Sequence, residues 1–130
     1  MKIIYAFLLL LLPAAFISAG DDIDRTAQLI GSANIEELSK DFAPSVDLTI
    51  MDNENQASAA MAKNILADFF EKNQPRSMRI LHRITSSDKF HYGVILITTE
   101  QSVYRVAFTL KNNNGRFQLT ELRIESAKEK

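Results

Sequence analysis

From Asp22 onward the chain moves between two hydrophobic periods. Ile23, Ala27 and Ile30 recur at helical spacing and predict a helix over 22–30. Asp21, Asp22 and Asp24 load its first turn with negative charge, where the helix dipole is positive. Gly31-Ser32 interrupts it. Asn34, followed three residues later by Glu37, is a variant of the capping box and starts a second helix. Its apolar face is Ile35, Leu38 and Phe42, and Pro44 is expected to end it, because the residue before a proline avoids helical geometry. Val46, Leu48 and Ile50 then alternate with Asp47 and Thr49, the pattern of a half-buried strand. Asp52-Asn53-Glu54-Asn55 has turn chemistry. A third helix is predicted over 58–72, with Met61, Ile65, Leu66, Phe69 and Phe70 as one broad apolar stripe and Asn73-Gln74-Pro75 as its stop. Within that stripe Phe69, four residues from Ile65 and eight from Met61, is expected to be the main anchor, with Phe70 more peripheral.

The remainder reads as a meander. Segments 78–84, 90–99, 103–110 and 116–125 are strand-like, and the polar stretches between them have hairpin length. Helices first and an antiparallel sheet last give an α+β domain with its helices on one face of the sheet. Ala127 to Lys130 read as a solvated tail.

The first twenty residues are of a different kind. Lys2 is followed by an uncharged apolar run from Ile3 to Ile17, and Ser18-Ala19-Gly20 supplies small residues ahead of Asp21. This is the layout of a secretory signal peptide over 1–20, followed by a single domain over 21–130. The run is short of the roughly 20 apolar residues that span a bilayer, and Pro13 interrupts it. The expected location is the periplasm or the extracellular space, without stable membrane insertion of the mature domain.

Composition narrows the function classes. A chain 46% hydrophobic and 24% charged can bury a core, so disorder is not expected. A net charge of -1, with its basic residues dispersed, gives no footprint for nucleic acid. The absence of Cys removes disulfides, thiolate metal sites, a cysteine nucleophile and a lipid-modified cysteine at the leader junction. No zinc-binding histidine motif, nucleophile elbow or phosphate-cradling glycine loop occurs among its 4 Gly, so no cofactor or metal is expected.

The order of elements, opening on "LIGSANIEELSKDFAPSVDLTI", resembles the nuclear transport factor 2-like (cystatin-like) fold, in which a curved sheet wraps helices into a cone with a pocket inside. More specifically, Asp68-Phe69-Phe70 leading to Pro75, and Tyr104-Arg105-Val106 running to Leu122-Arg123-Ile124, resemble a secreted Gram-negative bacterial family, domain of unknown function 4783. The resemblance implies a fold and a compartment, and carries no catalytic residues.

Strand parity supplies the candidate site. Met78, Ile80, His82 and Ile84 share one face of their strand, as do Tyr92, Val94 and Leu96, and Tyr104, Val106, Phe108 and Leu110. If those faces line the cone, His82, Tyr92, Tyr104, Phe69 and Phe108 surround a pocket suited to a small apolar ligand. The opposite face would then carry Ile95, Ile97, Val103 and Ala107, a surface for a homodimer. The leading expectation is a non-enzymatic exported binding or interaction module. The alternative is a small isomerase or dehydratase, with His82 as base and Tyr104 polarising an oxygen. The discriminator is whether those two side chains converge on one open cavity.

Overall fold

A computed structural model describes residues 21–127. The signal peptide expected over 1–20, and the last three residues of the expected tail, lie outside the described residues. Ala127 itself is tied back, its N–H donating to the Val103 carbonyl at 2.9 Å.

Three helices precede and interrupt the strands: α1 (Asp21–Gly31), α2 (Ile35–Ser39) and α3 (Ala59–Lys72). The strands are β1 (Phe42–Ile50), β2 (Asn53–Ser58), β3 (Ser77–Ile84), β4 (Phe90–Thr98), β5 (Val103–Asn113) and β6 (Arg116–Ser126). They form one curved sheet in the order β2-β1-β6-β5-β4-β3, antiparallel throughout except where β1 runs parallel to β6. α1 lies against β3 and β4, α3 against β1 and β2, and α2 bridges the other two helices. This is the α+β cone of the nuclear transport factor 2-like fold.

Local chemistry fixes the helix ends. Past α1, Ala33 takes a left-handed φ of 56°. Its N–H donates to the Ile30 carbonyl and that of Asn34 to the Leu29 carbonyl, the double bond of a Schellman cap. Asn34 then caps α2, its side chain accepting from the Glu37 N–H, as the capping pattern predicts. Ser58 caps α3 by accepting from the Met61 N–H at 3.2 Å.

Two expectations are corrected along this stretch. Pro44 does not terminate a helix: α2 ends at Ser39, and Pro44 sits inside β1, where the pairing with β6 shifts register between Phe42 and Asp47. A proline cannot donate to a ladder, and an irregularity of this kind is where a strand tolerates one. The polar run expected to be a turn is largely β2, an edge strand whose Asn53, Glu54, Asn55 and Gln56 are exposed; only Met51 and Asp52 turn the chain.

The core lies between the helices and the inner face of the sheet. Ile23, Ile30, Leu38 and Leu66 come from the helices, and Leu48, Ile95, Ile97, Phe108, Leu122 and Ile124 from the strands. The phase of α3 also differs from expectation. Ala62, Leu66 and Phe70 are its buried row, Phe69 and Ile65 are partly buried, and Met61 is 52% exposed. A small Ala62 lets the helix approach β1 closely along that row, so Phe70 rather than Phe69 is the deeper anchor.

Candidate functional site

The register of β3 decides which side chains could form a site. Met78 and Ile80 pair with Ile97 and Ile95, whose side chains are fully buried beneath the helices. The register then slips between Ile80 and His82, leaving Leu81 as the extra residue of a bulge. A shift by one residue exchanges the two faces of a strand. Beyond the bulge, His82 and Ile84 pair with Val94 and Tyr92 and point away from the helices, while Arg83 turns inward to Asp24 of α1 at 2.6 Å.

The five side chains expected around a pocket are therefore divided by the sheet. Tyr104, Phe108 and Phe69 lie on the helix side. His82 and Tyr92 lie on the outer face, Tyr92 40% exposed, and Ile95 and Ile97 take the inward places expected for Tyr92, Val94 and Leu96. His82 and Tyr104 thus occupy opposite faces and do not converge on one reacting atom.

The three inward residues pack as structure. Phe69 meets Phe70 and Tyr104 edge-to-face at 5.0 and 5.3 Å. The Tyr104 hydroxyl donates to Asn73 Oδ1 at 3.1 Å, and Asn73 in turn donates to the Phe69 carbonyl at the end of α3. Phe108 is 2% exposed and lies over Gly93. A Cβ at position 93 would stand 2.6 Å from Phe108 Cε1 and 2.9 Å from Ile23 Cγ2, which measures how tightly sheet and α1 close here.

The other histidine of the described residues, His91, has a specific partner. His91 shares the inward parity of Ile95 and Ile97, and its Nδ1 lies 2.8 Å from Asp22 Oδ2 in the first turn of α1. Its ring stacks on Phe117 at 4.3 Å and 20°. A carboxylate orienting an imidazole is one half of an acid–base site. His91 is only 7% exposed, however, and neither partner lines any of the clefts described below. No pattern of spacing links residues 69 apart; the one available signal was parity with the isoleucines.

Open clefts mark the surface of the described residues. One of about 520 Å³ lies between the α1–α2 turn and the end of α3, with Ile35, Ala67, Phe70 and Pro75 in its wall. A neighbour of about 330 Å³ is formed by 71–76 and 99–101. A trough of about 400 Å³ on the outer face is edged by Asp47, Glu54, Glu121 and Arg123. Among the described residues no three His, Asp or Glu side chains gather as a metal would require, and no helix is long and apolar enough to cross a membrane. The carboxyls held below their usual range are Glu36, by its hydrogen bond and ion pair with Lys63, and Glu37, by Lys40, which is itself raised. All three are exposed groups on or beside α2, so these shifts reflect surface pairing rather than a tuned acid or base.

The outer face of the sheet is the more distinctive surface. Phe90, Tyr92, Val94 and Leu96 of β4, with Ile84 of β3, form a contiguous apolar patch, and Phe90 and Tyr92 stack at 6.4 Å. Ile84 is 45% exposed. Charge is divided across the rest of the face. β3 to β5 present Arg79, Arg105 and Lys111 and no carboxylate. β6, β1 and β2 present Glu121, Glu125, Asp47 and Glu54 around Arg123. Arg116, at the sheet's end, is drawn off to the Lys40 carbonyl and Asp41.

Comparison with known proteins points the same way on fold. Residues 23–125 match the family described as Domain of unknown function (DUF4783). A crystal structure of a DUF4783 family protein from Bacteroides ovatus is similar at 21% identity and a TM-score of 0.76, covering 87% of this chain and 97% of that one. A DUF4783 family protein from Bacteroides uniformis is similar at 21% identity and 0.75, covering 79% and 94%. A domain of unknown function with a cystatin-like fold from Nostoc punctiforme is similar at 8% identity and 0.66, covering 88% and 81%. No curated protein matches the chain.

Proposed function

The chain belongs to the DUF4783 family, and from that premise we propose that it is an exported, non-enzymatic interaction module whose working surface is the outer face of its sheet. One observation carries the reading. The bulge at Leu81 turns Ile84 outward beside Tyr92, so five large apolar side chains share one open face, with Tyr92 and Ile84 among the most exposed hydrophobics of the described residues. Apolar patches of this kind, rimmed by charge, mark contact surfaces, and tyrosine is among the residues that dominate them.

The interior supports the same reading. The space expected to admit a small apolar ligand is occupied by Ile23, Leu66, Ile95, Phe108 and Leu122, each at most 2% exposed. The acid–base alternative finds no support in the separation of His82 from Tyr104. Export is supported by the charged, apolar and small-residue order of 1–20.

The test is site-specific photo-crosslinking in the cells that make the protein. A photoreactive phenylalanine analogue at position 92 should give a discrete adduct. The same analogue at Met61, more exposed but on α3, should not. Equal labelling at both positions, or none at 92, would overturn the reading.

A further inference from the structure

Resting on that reading of the outer face, we infer that its partner is a lipid surface: a bilayer leaflet carrying anionic phospholipid, on which β3, β4 and β5 rest without any part of the domain crossing it. Strand pairing gathers basic residues that are dispersed along the sequence. Arg79 and Arg105 stand on either side of Leu96 as its direct cross-strand neighbours, and Lys111 stands beside Phe90. All three are exposed. Among the described residues the ion pairs engage Arg25, Arg76, Arg83 and Arg116 and several lysines, but none of these three. The apolar strip of Ile84, Phe90, Tyr92, Val94 and Leu96 lies among them. Tyrosine suits the boundary between hydrocarbon and headgroup, its ring in the one and its hydroxyl in the other. Arginine and lysine lay their stems along apolar surface while their charged ends reach phosphate.

Shape and size favour a bilayer over a folded partner. The sheet curves around its helices, so its outer face is convex, and none of the open clefts is lined by a residue of the apolar strip. Three strands about 4.8 Å apart, over some seven residues of about 3.4 Å each, present on the order of 350 Å². That is less than half of the roughly 800 Å² that each partner gives to a standard protein interface. A fluid leaflet needs neither a matching shape nor that area, because it moulds itself to the side chains pressed into it.

The acidic half of the face is compatible with this contact. β6 lies two strand spacings from β4, about 10 Å, which is a Debye length at physiological salt, and β1 and β2 lie farther round the curve. Glu125 stands across from Arg105 without an ion pair to it, so it weakens the attraction locally and leaves Arg79 and Lys111 untouched. Each basic side chain held at an anionic surface raises the partition constant about fivefold, so the three together contribute on the order of a hundredfold. Association of that origin is reversible and weakened by salt.

The experiment mixes the purified protein with vesicles of phosphatidylcholine alone, or of phosphatidylcholine with an equal part of phosphatidylglycerol. The chain has no Trp, so Tyr92→Trp makes a single reporter on the outer face. Its emission should move to the blue on the anionic vesicles and return as salt is added. Met61→Trp, on α3 and 52% exposed in the wild type, should keep the emission of an indole in water. Sedimentation with the anionic vesicles gives the partition constant. Arg79→Gln and Arg105→Gln should each lower it about fivefold. Arg123→Gln removes the same charge from the same face, outside the patch, and should change it little. All three sites are exposed, so unchanged melting temperatures are expected and exclude loss of folding as the cause. No binding to the anionic vesicles, a blue shift at position 61 as large as at 92, or an equal loss from Arg123→Gln would overturn the inference. If vesicles are ignored but the analogue at position 92 captures a discrete protein in cells, the outer face remains the working surface and only the lipid partner falls. With no adduct, both fall.

Discussion

His91 Nδ1 lies 2.8 Å from Asp22 Oδ2, joining the second strand of the meander to the first turn of the first helix. The two side chains are 9% and 21% exposed, so the contact is largely shielded from solvent. Asp24, two residues on, makes a comparable contact with Arg83, but there the side chains are 46% and 50% exposed. The two pairs share a helix turn and differ in burial. Asp22→Ala leaves a mostly buried ring nitrogen without its partner, which costs about 1–3 kcal/mol. Asp24→Ala removes an exposed pair worth at most about 1 kcal/mol. Both lose the same favourable placement near the helix N-terminus. Thermal unfolding should therefore show the larger drop for Asp22→Ala; equal drops would mean that the His91 contact adds nothing beyond helix-end charge.

The third helix offers a sharper comparison between neighbours. Phe70 is 3% exposed and in line with Ala62 and Leu66, whereas Phe69 is only partly buried. Phe70→Ala should cost about 3–5 kcal/mol, the range for a buried phenylalanine. Phe69→Ala should cost less, losing mainly its edge contacts with Phe70 and Tyr104. Urea midpoints of the two variants read this directly. A reversed order would restore the phase that apolar spacing alone suggests.

Gly93 tests how full the cone is. Gly93→Ala sets a methyl against the Phe108 ring and Ile23, an overpacking that typically costs about 1–3 kcal/mol. Trimming the ring in the same chain, Gly93→Ala with Phe108→Leu, should recover part of that loss. If Gly93→Ala alone melts like the wild type, the space over β4 is looser than the packing indicates, and an internal ligand again becomes reasonable.

These residues also show what the sequence could disclose. The capping pair Asn34 and Glu37, the α+β order and the meander were legible because they rest on local chemistry. β2 was not, because an edge strand needs no apolar alternation, and Asn53 to Gln56 are written in turn residues. The inner face of β4 was not, because Val94-Ile95-Leu96-Ile97 is apolar on both sides and parity alone could not choose between them. The choice is made by pairing, which sets Ile97 and Ile95 opposite Met78 and Ile80 on the helix side, and on β3 by the bulge at Leu81, which no single residue announces. The assignment of His82 to the interior followed from extending the parity of Met78 and Ile80 through that bulge. The contact of His91 was not legible for the related reason that its partner lies on a distant element.

The central claim is that the outside of the sheet, not the inside of the cone, does the work. The most direct measurement places the photoreactive analogue at Leu96, in the outer patch, and compares chains with and without Tyr92→Asp for both melting temperature and adduct yield. Tyr92 is 40% exposed on the face away from the core. Substitution there should therefore leave the melting temperature within about 4 °C, the effect of roughly 1 kcal/mol in a domain this size, while the adduct falls several-fold. A steep fall in melting temperature would place Tyr92 in the core, and an undiminished adduct in a stably folded variant would show that the outer face is not the surface through which this protein acts.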